Sequence, residues 1–431
     1  MSSSTPSSLP NAPLSVPSPQ DDYDLLLAVA AELHKNGEET NGGITAIEQL
    51  NQKMGLETLL QPSWGELFLQ VKGEQVRVVA AVPENINMSR VVATLHIVEA
   101  FCAGQIDKAG MKAALADAGC LPVSNLWLFV FACTIGAGAL SIINGATHVE
   151  PIGLIMICAG LSGLLRRGLA NVLNANTFLQ MFAATLLAGL VGAIGFSWHI
   201  SSAMRLVALG PLFVLVPGPT ILNGMIDIAA LRFPLGFARV AYGLFTVLVM
   251  CTGVIIGLTF GGTTLPALVP NQEVPFWIDV ICAGIAAGSY GVFFSMPLRL
   301  IWYPVLTGML AHAIRWEAIY GFGLSNFTGA GLACLMVGIV LVPIARRRHL
   351  PFAGVGFASV VSMVPGVFLF RMSGGLVEIL HKAQNTSTAL IGVVISDSTT
   401  ALLTVVMMAL GLVLPISAYA HFNREKSSKV A

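Results

Sequence analysis

The sequence Val-Pro-Gly occurs twice inside long apolar segments, at residues 216–218 and 364–366. The surrounding residues also match at offsets of 149 or 150: Trp127 with Trp277, Gly138 with Gly288, and Arg166 with Arg315. This pattern predicts two copies of one unit, each containing a helix that is broken at the same place. Repeats with matching Pro/Gly interruptions are typical of secondary transporters and point to their binding sites.

The composition indicates an integral membrane protein. Hydrophobic residues make up 55% of the 431 residues and charged residues only 10%, whereas soluble domains carry roughly 25% charged residues. No basic patch favours a nucleic-acid partner. The seven cysteines form no CxxC pair and the histidines have no metal-ligand spacing, so neither a metal site nor a cofactor is predicted.

The amino-terminal part differs from the rest in charge and pattern. Residues 1–122 contain 14 Asp and Glu but 7 Lys and Arg. Helical periodicity at 25–33 and alternating stretches at 66–71 and 75–79 predict a small α/β domain. The predicted organisation is a disordered leader (1–20), a cytosolic α/β domain (21–122), two five-helix membrane repeats (123–270 and 271–421) and a cytosolic tail (422–431).

Ten apolar segments follow the α/β domain, several of them near the ~20 residues that span a bilayer. They lie at 125–145, 151–165, 177–197, 206–231, 237–260, 275–295, 300–314, 327–345, 352–380 and 388–419. Five spans are an odd number, so the second copy is upside down relative to the first. The predicted fold class is therefore a polytopic α-helical membrane protein with about ten transmembrane helices in two inverted repeats.

The residues at the two breaks are the predicted substrate-binding site. Pro217, Gly218 and Pro219 end helical geometry at the first break, as Pro365 and Gly366 do at the second. The backbone groups that are freed there must face protein, water or a ligand, because lipid supplies no partners. The alternative is a simple proline kink. Asn223 and Arg371 follow the breaks and complete the predicted set, with Arg371 either clamping a carboxylate or pairing with an acid.

Three acids within or near the apolar segments are the candidates for proton coupling. Asp397 leads because long apolar runs flank it on both sides, and Asp227 and Glu378 follow it. A charged side chain at the bilayer centre is costly and marks a functional site. The alternatives are solvated boundary positions for Asp227 and Glu378, and a helix cap for Asp397. Asp279 is interpreted as interfacial, and His312 lies near the end of a span.

In the order of its parts, the sequence resembles the bacterial threonine/serine exporters. The likeness covers residues 21–420 and is carried by three stretches: Asn36-Gly37-Glu38-Glu39-Thr40 after the first helix, Val216-Pro217-Gly218-Pro219 with Asp227, and Ser362-Met363-Val364-Pro365-Gly366. The resemblance implies export of threonine and serine through the bacterial inner membrane, driven by the proton motive force. Other branches of the family are linked to small dicarboxylates.

The functional prediction is a secondary active transporter rather than an enzyme, with a small amino acid, protons and the lipid bilayer as partners. The alternatives are a dicarboxylate exporter and, behind it, a membrane-anchored enzyme or sensor that acts through the amino-terminal domain. Two matched broken helices and intramembrane acids argue against a mere anchor. A homo-oligomer remains open.

The distribution of basic residues predicts the orientation. With both termini in the cytoplasm, eleven Lys and Arg lie inside and three lie outside, as the positive-inside rule requires. We expect a cysteine introduced at Thr263 to be labelled from outside the cell and one at Arg346 to be protected. Equal labelling of the two positions would contradict the ten-span topology.

Overall fold

The computed structural model of the protein describes residues 19–83, 86–146, 148–173, 175–197, 217–260, 273–348, 350 and 352–430. Three predicted features fall on other residues: most of the leader, the first part of the fourth apolar segment (206–216), and residues 261–272 of the loop that contains Thr263.

Four helices and a three-stranded antiparallel sheet precede the apolar helices. They are α1 Pro19–Lys35, α2 Thr40–Met54, β1 Thr58–Pro62, β2 Gly65–Val71, β3 Arg77–Ala81, α3 Met88–Cys102 and α4 Lys108–Gly119. The two predicted strands correspond to β2 and β3. Strand β1 was not predicted, because only Leu60 of its residues is buried and the strand ends at Pro62.

The register of the sheet follows from burial on one face. Leu69 of β2 lies opposite Leu60 of β1, and Leu67 of β2 lies opposite Val79 of β3. Leu67 and Leu69 are fully buried, and this face of the sheet packs against α1. A shift of one residue would turn both leucines toward solvent, so their burial determines the pairing.

Eleven further α-helices follow within the described residues. They are α5 Leu126–Ile143, α6 Val149–Leu173, α7 Thr177–Ser197, α8 Gly218–Ala229, α9 Phe233–Phe260, α10 Phe276–Phe293, α11 Trp302–Trp316, α12 Asn326–Arg348, α13 Phe352–Val360, α14 Gly366–Lys382 and α15 Thr388–Val430. Seven helices within the described ranges are long and apolar enough to cross a membrane, and a bent pair formed by α13 and α14 passes the same test with an angle of 50° at its break. The chain is thus a polytopic, membrane-embedded helical protein. Helix α11 has 15 residues, and α8 has 12.

The helices of the two halves pack in one order. In the first half α5 packs on α6, α6 on α7, α7 on α9, and α8 on α9. In the second half α10 packs on α11, α11 on α12, α12 on α15, and α14 on α15. The halves are joined by α5 against α10 and by α8 against α15. Each broken helix therefore lies against the fifth helix of its own half, and α8 also reaches the other half.

The amino-terminal elements are held on the end of α10. The first amides of a helix have no partner within it, and those of α3 donate outward: Met88 N to Phe294 O at 2.8 Å and Ser89 N to Ser295 O at 3.1 Å. Asn87 caps the same helix, because its side chain accepts from the amide of Ser89. Helix α3 and the sheet are thereby fixed beside the first break.

Candidate functional site

The two broken helices meet each other. Gly218 begins α8, and a 3-10 turn, Val361–Met363, joins α13 to the break before α14. A Cβ atom on Gly218 would lie 3.0 Å from the Cγ2 of Val361 and 3.1 Å from the Cγ2 of Val364. Gly218 and Val364, which are far apart in the chain, therefore lie in contact, and a side chain at Gly218 would require Val361 and Val364 to move.

Each break starts a new helix in the protein interior. The carbonyl of Pro217 accepts from the amide of Ile221 at 3.1 Å, and that of Pro365 accepts from the amide of Leu369 at 3.1 Å. Pro219 occupies the first turn of α8, where its missing N–H costs nothing. Both new helices thus present an N-terminus, the positive end of the helix dipole, at the place where the breaks meet.

A cavity of about 400 Å³ lies at the N-terminus of α8. Its polar lining includes Arg90, Asn171, Thr177, Gln180, Thr220, Tyr242 and Thr246, together with the two arginines of α6, Arg166 and Arg167. The Nη1 atom of Arg166 is buried and has no hydrogen-bond partner among the described residues. The guanidinium lies 5.0 Å from the centre of the Phe293 ring. A guanidinium with a buried N–H group that lacks a hydrogen-bond partner is suited to bind a carboxylate.

A second, small cavity of about 30 Å³ lies on the other side of Pro219 and Thr220. Asn223 lines it, and its Oδ1 atom is buried without a hydrogen-bond partner within the described parts of the chain. His34 of α1 lines the same cavity. Burial, with the Arg239 guanidinium adding to it, lowers the pKa of His34 to about 3, so this imidazole is neutral at physiological pH. The cavity thus offers neutral polar atoms beside the first break.

Asp227 forms a buried ionic cluster at the far end of α8. It is 1% exposed, and its Oδ2 atom lies 2.9 Å from Nη1 of Arg239. Arg232 contacts its Oδ1 atom at 3.4 Å and donates to Asn41 Oδ1 at 2.6 Å. Glu39 also interacts electrostatically with Arg239. The Asn36–Thr40 stretch is the turn between α1 and α2, as predicted, and this turn and the start of α2 are packed against the first broken helix.

Arg371 and Asp397 form an ion pair between α14 and α15. Arg371 Nε lies 3.0 Å from Asp397 Oδ2, although the two atoms are not aligned for a hydrogen bond. Asp397 is 4% exposed and lies inside α15, which begins at Thr388. It is therefore not a helix cap. Of the two roles considered for Arg371, the geometry corresponds to that of a partner for an acid.

Glu378 lies apart from these groups. Its Oε1 atom accepts from Lys382 Nζ at 2.6 Å, one turn further along α14, and both side chains are partly exposed. This is the arrangement of a helix-surface ion pair. The structure thus brings Pro217, Gly218 and the segment before Pro365 together, joins Arg371 to Asp397, and leaves Glu378 outside.

Sequence reasoning missed a polar group at the second break. Asp279 and His312 are buried in the protein and contact each other, with His312 Nδ1 3.0 Å from Asp279 Oδ2. His312 Nε2 lies 2.9 Å from Ser362 Oγ, in the turn that precedes Val364-Pro365-Gly366. The sequence feature that could have indicated this polar group is the histidine at position 312 within an apolar segment. Arg166 was also missed, because it was counted only among the cytoplasmic basic residues.

A larger cavity, of about 600 Å³, touches neither break. It is lined by α2 and α3 on one side and by Ala345, Leu350 and Phe352 on the other. Size alone therefore does not identify the site. The cavity beside the first break is distinguished by the Nη1 atom of Arg166, which is buried without a hydrogen-bond partner among the described residues, and it is taken as the candidate site.

Family models match most of the chain. Residues 24–261 match the family model of threonine/serine exporters named ThrE, and residues 279–418 match a second model described as Threonine/Serine exporter, ThrE. A Mycobacterium tuberculosis protein described as "Probable threonine/serine exporter" is 24% identical over 295 residues, 63% of this chain and 54% of that protein. The chain thus spans about half the length of this curated relative. No solved structure matches the chain.

The contact at Gly218 generates a prediction. Gly218→Leu is expected to abolish transport without preventing membrane insertion, because the side chain must displace Val361 and Val364. Gly392→Leu is the matched control, since nothing lies within 4 Å of a Cβ at that helical position. Efflux and the amount of inserted protein would be measured for both. Wild-type efflux in Gly218→Leu would reduce the motif to a kink.

Proposed function

Because the chain belongs to the threonine/serine exporter family, we propose that it exports threonine and serine across the bacterial inner membrane. We propose further that the proton motive force drives this export and that both termini lie in the cytoplasm. Exchange of one proton for one neutral zwitterion moves one charge, which contributes about 2.3 kcal/mol per 100 mV. That energy sustains a gradient of roughly 50-fold per 100 mV.

The observation that carries the proposal is the Arg166 guanidinium beside the N-terminus of α8, whose Nη1 atom has no hydrogen-bond partner among the described residues. A carboxylate bound there accepts from Arg166 and from the first amides of α8, which have no helical partners. Asn223, on the other side of Pro219 and Thr220, has a free amide oxygen that can accept from an ammonium group. The cavity volume of about 400 Å³ is within the range of small-ligand sites. Pro217, Gly218 and Pro219 shape this cavity.

The membrane architecture proposed is ten spans in two inverted five-helix repeats, 123–270 and 271–421, behind a cytosolic domain at 21–122. The order of helix packing is the same in both halves, and a Pro-Gly sequence begins the second-to-last helix of each, at Pro217-Gly218 and at Pro365-Gly366. An inverted pair of broken helices that touch at Gly218 supports alternating access, because movement of one break shifts the other.

We propose that Asp397 carries the coupled proton and that Arg371 responds to the charge on the Asp397 carboxylate. The ionised carboxylate holds Arg371, and protonation releases the guanidinium, so the pair has two states. Among the described residues Asp397 has this one cationic partner, whereas Asp227 is held by both Arg232 and Arg239. Pro365 and Gly366 begin the helix that carries Arg371, so its release acts on the second break. Asp227, which is held by Arg232 and Arg239, and Glu378, which pairs with Lys382 on the helix surface, are not part of this proposal.

A small dicarboxylate is the second candidate substrate. Three arginines, Arg90, Arg166 and Arg167, line the cavity at the first break, and two carboxylates could engage more than one of them. The substrate panel below separates the two candidates.

The substrate site predicts the effect of removing one guanidinium. Arg166→Gln is expected to lower kcat/KM for threonine by about 10- to 100-fold, the range for loss of a charge-assisted hydrogen bond. Arg347→Gln, an exposed position at the end of α12, is the matched control. Proteoliposomes would be assayed with threonine, serine and succinate. Equal activity of the two variants would contradict the site, and transport of succinate alone would favour the dicarboxylate.

The coupling proposal predicts a separation of exchange from accumulation. Asp397→Asn is expected to exchange threonine across the membrane but to lose proton-driven accumulation, because its side chain carries no proton to release. Glu378→Gln removes the half-exposed carboxylate that pairs with Lys382, and it is expected to keep accumulation. Both are measured in proteoliposomes with and without an imposed pH gradient. Normal pH-dependent accumulation by Asp397→Asn would exclude this residue as the proton carrier.

A further inference from the structure

A buried chain of three hydrogen-bonding side chains reaches the second break. Asp279 on α10 contacts Nδ1 of His312 on α11 at 3.0 Å, and Nε2 of His312 contacts Ser362 Oγ at 2.9 Å. Asp279 is 3% exposed and His312 is 0% exposed. Ser362 lies in the 3-10 turn immediately before Val364-Pro365-Gly366. The imidazole is thus bonded on one side to a carboxylate and on the other to the broken helix.

This arrangement has two protonation states with different hydrogen bonds. An ionised carboxylate only accepts, so Nδ1 of His312 must carry a proton toward Asp279. Neutral His312 then accepts at Nε2 from the Ser362 hydroxyl. Protonated His312 donates at Nε2, so Ser362 accepts and its own hydrogen turns to another acceptor. Gain of one proton by His312 therefore reverses the hydrogen bond on the turn before the break.

The other half of the protein shows that the fold does not require this polar pair. By the repeat offsets of 150 and 149 residues, Asp279 corresponds to Phe129 and His312 to Gly163. These two positions also face each other, since a Cβ on Gly163 would lie 3.5 Å from the Cε1 of Phe129. The same contact is apolar in one half and titratable in the other. A group retained only for packing would not need ionisable atoms here.

The charged and titratable groups around the chain come from several elements. Arg315 of α11 and Tyr320 of the following π turn both interact electrostatically with Asp279. Cys282 on α10 also interacts electrostatically with the Asp279 carboxylate, and Glu273 interacts electrostatically with Tyr320. From α12, Asn326 accepts from Arg315 at 2.8 Å. Helix α13 contributes Ser359, whose hydroxyl lies 2.6 Å from that of Thr307, so the same segment has a second, non-titrating anchor on α11.

We propose that Asp279, His312 and Ser362 form a proton-binding site that controls the bend of the second broken helix, separate from Asp397. The proposal rests on the proposed transport function, because the bend is the moving part of that cycle. In the proposed orientation this site lies toward the outer ends of α10 and α11. A proton that arrives from outside binds His312 there. The reversed hydrogen bond then changes how the turn at Val361–Met363 is held against α11.

Protonation can be measured without any substrate. We would record ¹⁵N-histidine NMR spectra of the full-length protein in nanodiscs from pH 5 to 8.5, using His312→Gln to assign the His312 signal. The signal is expected to convert between neutral and protonated forms in the wild type. In Asp279→Asn it is expected to stay neutral, because the imidazolium loses its counter-ion. A wild-type His312 signal that never changes would overturn the proposal, whether or not threonine is transported.

A matched control distinguishes a pH-dependent effect on transport from a general loosening of the segment before the second break. His312→Gln is expected to exchange threonine with a rate that varies less than two-fold between pH 5.5 and 8, whereas Thr307→Val lowers the rate equally at all pH values and keeps the wild-type profile. Ser362→Ala should flatten the profile while the NMR signal still titrates. An unchanged profile in His312→Gln and Ser362→Ala would make the chain a structural clamp and overturn the proposal. If no variant and no wild-type sample moves threonine, the transport function fails and the NMR result stands alone.

Discussion

The constraint on which the structure depends is that backbone polar groups inside an apolar bundle must find partners. A chain that breaks two helices there needs a surface on which each break can rest. The protein meets this need by placing the breaks against each other, with Gly218 close to Val361 and Val364. Helix α8 leaves from this point on one side and α14 on the other, so the cavity, the ion pairs and the hydroxyl contacts are all arranged around one junction.

The buried charges at the junction differ in how they are neutralised, and the difference separates their chemistry. Asp227 is held by Arg232 and Arg239, so it is a fixed charge that ties α8 to α9 and, through Asn41, to the amino-terminal elements. Arg371 and Asp397 form a pair without hydrogen-bond alignment. Arg166 has no partner of its own for Nη1 among the described residues. A fixed charge, a separable pair and an unpartnered cation are suited to structure, to coupling and to ligand binding respectively.

The amino-terminal elements are part of the junction. Residues between β3 and α3, among them Pro83 and Asn87, line the cavity that contains Arg166. His34 lines the cavity that contains Asn223. The cavity is therefore closed on that side by α1, α3 and their loops. Any motion that separates these elements from the end of α10 also opens the space beside α8, which gives the amino-terminal region a direct physical connection to the proposed substrate site.

The sequence by itself determined the elements and the position of the breaks. Hydropathy, Pro and Gly are local properties, so helices such as α7, at the predicted 177–197, and the strands β2 and β3 were predictable, as was the placement of both breaks. Only the tertiary structure decided which groups meet. Arg371 and Asp397 lie 26 positions apart, and Asp279 and His312 lie 33 apart; nothing local indicates their contact, because it depends on how separate helices pack. Burial also depends on packing, so the sequence did not indicate that Asp279 and the Nη1 atom of Arg166 are enclosed by other helices.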